Sequence, residues 1–158
     1  MTFKVKTKGQ NEGEKLLVPK LRFKEFNNLY TNKKLSDIAK IVMGQSPDSK
    51  SYTFNTNNTL LIQGNTDLAN GKIKPRIYTS SITKMCTVND IIMTVRAPVG
   101  DLAISQYNAC IGRGVCLIRG TKYLYYYLES FKQRGGWKKI SKGSTIDSIT
   151  SDDLKNIN

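Results

Sequence analysis

Cys86, Cys110 and Cys116 are the only thiols of a 158-residue chain that contains no histidine. Zinc sites use CxxC-type pairs and disulfide frameworks use even sets, and this trio has neither arrangement. The missing histidine removes Ser-His-Asp and Cys-His nucleophiles, HExxH metal sites and imidazole acid–base chemistry. The thiols therefore read as small buried hydrophobes of a reducing compartment. Carboxylate chemistry is equally thin. Asp48 and Asp153 come nearest to a nuclease pattern, but they stand 105 positions apart, and Asp153 is better read as a helix-start charge. Gly64 to Lys72 ends in Gly-Lys like a phosphate loop. It has six residues between its glycines, too many for that loop, and Ile73 stands where a magnesium-binding hydroxyl belongs. No GxGxxG follows a strand, so a dinucleotide site has no support.

Binding chemistry has better candidates. Arg96, in Arg-Ala-Pro-Val-Gly, and Arg113, in Gly-Arg-Gly, each sit in a rigid turn beside an apolar strand. Such a turn can aim a guanidinium at phosphate or guanine; it can equally use the arginine to bond its own carbonyls, and the sequence leaves both open. Tyr123, Tyr125, Tyr126 and Tyr127 resemble a base-stacking platform, but their helical spacing favours core and rim packing. Lys and Arg number 25 against 12 Asp and Glu, a net +13 and a pI near 9.7. That balance calls for a polyanionic partner, nucleic acid or acidic membrane. No apolar run approaches a membrane span, and no apolar signal core follows the basic N-terminus. Nucleic acid and a cytoplasmic location are the expectation. Residues 60–119 carry a net +4 and residues 120–142 a net +5, so the charge belongs to a broad basic face and not to a detachable arm.

These groups need a scaffold. Residues 1–17, rich in Lys, Gly and Glu, read as a flexible basic tail. Leu35, Ile38 and Ala39 predict about two helical turns before Gly44. Gly44 to Asn58 is a long polar loop. Leu60–Gln63 and Ile91–Val95 read as strands, Leu102–Gln106 as a strand pairing back, and Val115–Ile118 as another. Asn70-Gly71 has hairpin-turn chemistry. Leu124, Tyr127, Leu128 and Phe131 predict a helix with Thr121 as its N-cap. Gly135-Gly136 ends it, a second turn follows at Trp137–Ile140, and Thr150 with Asp153 opens a last short helix. The fold class is α+β: a single mixed domain with a twisted, mainly antiparallel sheet, hairpins and a few flanking helices.

An ordered set of segments resembles the specificity subunits of bacterial type I restriction–modification enzymes. They are Val18-Pro19-Lys20-Leu21-Arg22-Phe23, Lys34-Leu35-Ser36-Asp37-Ile38, Gly44-Gln45-Ser46-Pro47, Leu61-Ile62-Gln63-Gly64-Asn65, Asp90 to Asp101, Ile111-Gly112-Arg113-Gly114 and Gly143-Ser144-Thr145. The resemblance implies a target recognition domain over residues 18–158 that reads one half of a bipartite double-stranded DNA site. It implies no catalysis and no cofactor in this chain. S-adenosylmethionine, ATP and magnesium would belong to the partner modification and restriction subunits. The resemblance leads to the expectation of the first, N-terminal recognition domain alone, excised or truncated, without the spacer helix and second domain that would follow it. Two other readings are a recognition domain of a fused restriction–methyltransferase enzyme and a truncated decoy or regulatory interaction protein.

Motifs common to readers of different targets cannot by themselves encode a target. Arg96 and Arg113 are therefore expected to set the fold or grip phosphate. Base readout is expected in Asp48–Asn58, Thr66–Lys84 and Gln133–Lys142, where Asn and Gln suit adenine and Arg and Lys suit guanine. The candidate DNA-binding residues are Gln45, Ser46, Ser49, Tyr52, Lys72, Lys74, Arg76, Lys84, Arg96, Arg113, Lys138, Lys139 and Lys142. Arg76 is expected at a base, and Lys72 and Lys74 at phosphates.

Overall fold

Ile91-Ile92-Met93-Thr94 is a run with no polar face, and a strand of that kind must be covered on both sides. The computed structural model, which describes residues 24–25, 32–140 and 148–158, provides the two covers. The chain divides into two units, 1–33 and 34–158, and every element below lies in the second. The tail at 1–17, the Val18–Phe23 segment, Lys142 and Gly143–Thr145 lie outside the described residues.

The elements run in chain order as α1 (Leu35–Ile38), β1 (Lys40–Met43), β2 (Tyr52–Thr53), β3 (Thr59–Ile62), β4 (Leu68–Ala69), β5 (Lys72–Ile73), β6 (Ile77–Thr79), β7 (Met85–Cys86), β8 (Ile91–Thr94), β9 (Leu102–Ile104), β10 (Ala109–Ile111), β11 (Val115–Arg119), α2 (Tyr123–Gln133), α3 (Gly136–Ile140) and α4 (Ser151–Lys155). They form two sheets, ordered β1-β11-β8-β9-β5-β4 and β2-β6-β3-β10-β7. Among the described residues, seven of the nine strand pairings are antiparallel; β10 with β3 and β5 with β9 are parallel. The expectation of a mixed, mainly antiparallel α+β domain holds, with two sheets in place of one.

Alternation along the central strands sorts the core into two layers. Ile91 and Met93 of β8 and Cys116 and Ile118 of β11 pack with Leu124, Leu128, Trp137 and Leu154 of the helices. Ile92, Val115 and Leu117 point the other way, onto Leu60, Ile62, Ala109 and Ile111 of the second sheet. Burial pushes the Cys116 thiol up to about 12 and raises that of Cys86, so both behave as hydrophobes.

Several local expectations meet their structural reasons here. Asn70 and Gly71 take φ of 50° and 73°, the two left-handed residues of a tight hairpin joining β4 and β5. Thr150 and Asp153 close a capping box on α4. Leu124 and Leu128 of α2 are buried, while Tyr123 and Tyr126 are exposed and Tyr125 and Tyr127 pack partly on the core. The tyrosines are thus core and rim. Two expectations are corrected. The first helix is one turn, not two, because Ala39 is already extended and Lys40–Met43 pairs residue for residue with Arg119–Cys116 of β11. Thr121 does not cap α2; the position before the helix is Lys122, without a side-chain cap bond. Thr121 contributes its carbonyl, which accepts from Leu124 N. The ends of the unit meet: Leu35 N donates to Ile157 O at 2.7 Å, and Lys34 Nζ to Asn156 Oδ1 at 2.9 Å.

Candidate nucleic-acid interface

Gly44, Gln45 and Ser46 leave β1 and run against the turn that joins β10 to β11. Gly44 N donates to Val115 O at 3.0 Å and Gln45 N to Ile111 O at 2.8 Å. Ser46 Oγ accepts from Arg113 N at 3.0 Å. From the other side, Gly112 N donates to Ile62 O at 2.7 Å and Val95 N to Gly114 O at 2.9 Å. Thr83 Oγ1 donates to Gln45 O, and Ile111 N donates to Lys84 O at 2.8 Å. Most of these contacts are backbone to backbone, with Ser46 and Thr83 adding their hydroxyls. A Cβ on Gly44 would lie 2.1 Å from Gly112 O, and one on Gly114 would lie 2.0 Å from Gln63 O. Only glycine permits this approach. Four segments distant in sequence thus converge on Gly112-Arg113-Gly114, and Arg113 projects from it exposed.

Arg96 follows Val95 at the same junction. Its turn is closed from within: Thr94 Oγ1 donates to Pro98 O at 2.7 Å and accepts from Asp101 N at 2.9 Å. The Ala97–Pro98 bond is cis. Arg96 backbone pairs with Ser148. Among the described residues, neither the Arg96 nor the Arg113 guanidinium has a hydrogen bond or ion pair. The reading in which these arginines bond the carbonyls of their own turns finds no such bond among the described residues.

The two long polar segments meet on the second sheet. A short turn at Ser49–Ser51, capped by Asp48 Oδ1 accepting from Lys50 N at 2.9 Å, leads into β2. That strand pairs with β6, Tyr52 opposite Thr79. Ser51 Oγ and Thr79 Oγ1 share a hydrogen bond of 2.8 Å, and Ser80 N donates to Ser51 O at 3.0 Å. Ser49 is exposed and Tyr52 half-buried, its hydroxyl donating to Pro47 O at 3.4 Å. The segment Thr66–Lys84 is not one surface, however. Its β4–β5 hairpin, carrying Lys72, belongs to the first sheet, and its β6 to the second.

Asp67 ties these parts together. It is 2% exposed, and its Oδ2 accepts from Gln63 N at 2.7 Å and Gly64 N at 3.2 Å. Its Oδ1 accepts from Arg76 Nε at 2.8 Å. Arg76, half-exposed, is therefore anchored by one nitrogen with its terminal nitrogens unengaged among the described residues. Such an anchored fork is pre-organised for a planar acceptor pair.

Three acids of the strand region are matched, while exposed Asp48 caps the Ser49–Ser51 turn without a cationic partner among the described residues. Asp67 pairs with Arg76, Asp90 with Arg119 and Asp101 with Lys132. Burial works against the Asp90 carboxylate, but hydrogen bonds from Arg119 and Thr87 outweigh it and hold its pKa below the ordinary value. Lys72, Lys74, Lys84, Arg96 and Arg113 keep no carboxylate partner among the described residues, and all five are exposed. With exposed Lys40 and Lys50 they supply the positive field of this region.

Gln45, Ser46, Lys84, Arg96 and Arg113 are thus gathered at one junction, with Ser49 and Tyr52 on the adjoining loop. Lys138 and Lys139 are not gathered there. They ride on α3 in the helical layer, across the first sheet, where Lys139 lines a cavity of about 360 Å³ with Phe131 and Ile157. Sequence reasoning passed over Gln63, Thr83 and Asp67 as site residues. Gln63-Gly64 directly follows a strand, as Arg113 adjoins one, and that was the available signal.

A model of the type I restriction modification DNA specificity domain matches residues 27–158. A curated relative from Methanocaldococcus jannaschii, described as a type I restriction enzyme MjaX specificity subunit, is 36% identical over 124 residues, or 75% of this chain and 29% of its own length. A chain from a structure of complex assembly and conformational transition of the type I R-M system shares 34% identity at a TM-score of 0.69, covering 79% of this chain and 32% of that one. The HsdS subunit from Thermoanaerobacter tengcongensis shares 31% identity at a TM-score of 0.67, covering 79% and 31%. The chain spans about a third of the length of these proteins or less. With four of the motif segments converging around Gly112-Arg113-Gly114 and the family model covering the whole of the 34–158 unit, the chain belongs to the type I restriction modification DNA specificity domain family.

Proposed function

We propose that this domain recognises one half of a bipartite double-stranded DNA target for a type I restriction–modification complex and catalyses nothing itself. One observation carries the reading: three exposed cations without carboxylate partners among the described residues, Lys84, Arg96 and Arg113, stand at a junction beside which the polar, turn-rich segments 48–58 and 77–84 pair along one sheet. Arg96, Arg113 and Lys84 at the junction, with Lys72 and Lys74, supply the phosphate grip. Arg76 and the segments 48–58 and 77–84 supply base contacts, since bidentate side chains in the major groove distinguish base pairs. Gln45, Ser46, Ser49 and Tyr52 adjoin these contacts. Residues 18–158 act as the recognition domain. Modification subunits, and restriction subunits through them, are its partners. S-adenosylmethionine, ATP and magnesium serve those partners, and the complex works in the cytoplasm. The specificity subunits named among the relatives support this assignment.

Grafting segments 48–58 and 66–84 into a relative of different specificity, then sequencing its methylated sites, tests the reading. Transfer of the half-site is expected. A half-site unchanged by the double graft puts base readout elsewhere. In binding assays Lys72→Ala and Lys74→Ala should weaken all sequences alike and lower the salt slope by about one unit each.

A further inference from the structure

We infer that Phe54 is a sequence-reading group whose ring packs on the 5-methyl of a thymine in the major groove. The inference rests on the proposed DNA-reading role of the 48–58 segment and names one contact within it. Phe54 is 83% exposed, ahead of Tyr123 at 68%, which makes it the most exposed large hydrophobic side chain among the described residues. A single exposed apolar side chain is ordinary on a protein surface. What sets this one apart is how it is held.

The turn that follows it is tied to itself. Asn55 N donates to Thr53 Oγ1 at 3.1 Å, Asn57 N to Asn55 Oδ1 at 3.0 Å, and Asn58 N to Asn55 O at 3.1 Å. The backbone presenting Phe54 is thus fixed before any ligand arrives, and a phenyl ring has little rotamer freedom left to lose. The composition of the turn points to its ligand. Phe54, Asn55, Thr56, Asn57 and Asn58 carry no charge, so this tip is not a phosphate grip, although exposed cations lie on the same sheet and beyond it. Its two chemistries are an apolar ring and side-chain amides. In the major groove those are the complements of one base pair: an apolar contact for the thymine methyl, and an amide for N6 and N7 of adenine. Asn55 spends its side-chain oxygen inside the turn. Asn57 has no side-chain partner among the described residues and is the amide free for the adenine.

Deoxyuridine isolates the claim, because it removes the methyl and nothing else. Duplexes selected from a random pool by this chain are remade with each thymine of the selected half-site replaced in turn, and binding is measured for the chain and for Phe54→Ala. The substituted side chain is exposed, so the variant keeps the fold. At one thymine the replacement should weaken the unmodified chain about four-fold, the worth of one buried methyl group, and leave Phe54→Ala unaffected. Asn57→Ala should relax the choice of base pair at that same position, and neither variant should alter the salt slope. Equal deoxyuridine sensitivity in both proteins at every thymine overturns the inference, as does a half-site without an A·T pair. Uniform loss of binding on all DNA in Phe54→Ala also overturns it, since that is the mark of a wedge between stacked bases. A pool that yields no sequence preference overturns the DNA-reading role itself, whereas the other negative results leave that role standing.

Discussion

Asp67→Asn removes one charge from the interior and changes little in volume, which makes it a sharp probe of how the interface is held. The carboxylate takes three hydrogen bonds: two from the backbone amides of Gln63 and Gly64 and one from Arg76 Nε. An asparagine has a single acceptor oxygen, so its amide nitrogen must face either the backbone donors or the guanidinium. Hydrogen bonds to charged groups are worth roughly 1.5–3 kcal/mol each, and a buried donor left unmatched costs a further penalty. Arg76 is 49% exposed, so solvent screening holds its share to about 1 kcal/mol. The asparagine oxygen keeps both amides by standing at the Oδ2 position, each bond losing its charge assistance of about 1 kcal/mol, and with the Arg76 share the expected loss is about 2–3 kcal/mol, a large part of a typical domain's stability. Arg76→Ala should lose only about 1 kcal/mol, because Asp67 keeps both amides. The double variant should lose less than the two single losses added together, because the variants share one interaction. Urea unfolding of the four proteins, with slopes checked for constancy, gives all three numbers. The reasoning is refuted if Asp67→Asn falls within about 0.5 kcal/mol of the parent, or if Arg76→Ala proves the costlier change.

Two further outcomes follow from the same geometry. Because the folded-state pKa of Asp90 is depressed, its contribution is present above the unfolded carboxylate value and lost as pH falls through the lower folded value. Urea midpoints should therefore drop below about pH 4 more steeply in the parent than in Asp90→Asn, and equal slopes would remove Asp90 from the acid response. Gly114→Ala places a Cβ 2.0 Å from Gln63 O, backbone against backbone, so the Arg113 turn must move. A loss of about 1–3 kcal/mol is expected, together with weaker binding to every DNA sequence in a filter assay; a variant unchanged in both would show that the close packing is dispensable.

Sequence made the long and the local features legible. Ile91–Val95 and Val115–Ile118 are apolar runs whose burial on both faces leaves no other reading, and Asn70-Gly71 and Thr150 with Asp153 act within a few residues. Features made by partners far away in the chain stayed hidden. Ala109–Ile111 is three residues long, too short to show a period, and becomes a strand by lying parallel to β3. Lys40–Met43 looked like the end of a helix because its partner, β11, lies beyond Val115. The same logic governs the interface. Arg96 and Arg113 were visible as arginines in rigid turns, but whether they served those turns depended on bonds that no spacing reveals. Asp67 looks like one polar residue in a loop until Gln63, Gly64 and Arg76 are seen around it.

The hydrogen bonds Leu35 N to Ile157 O and Lys34 Nζ to Asn156 Oδ1 bring the chain into and out of the unit at one place. A unit with adjoining entry and exit works as a cassette. Whatever polypeptide flanks it sees two neighbouring attachment points whose separation does not depend on the polar loops of the two sheets. Recombination can then exchange the whole unit, or lengthen the 48–58 segment, without redirecting the flanks. A replacement unit needs only the same seam between α1 and α4 to join the same flanks.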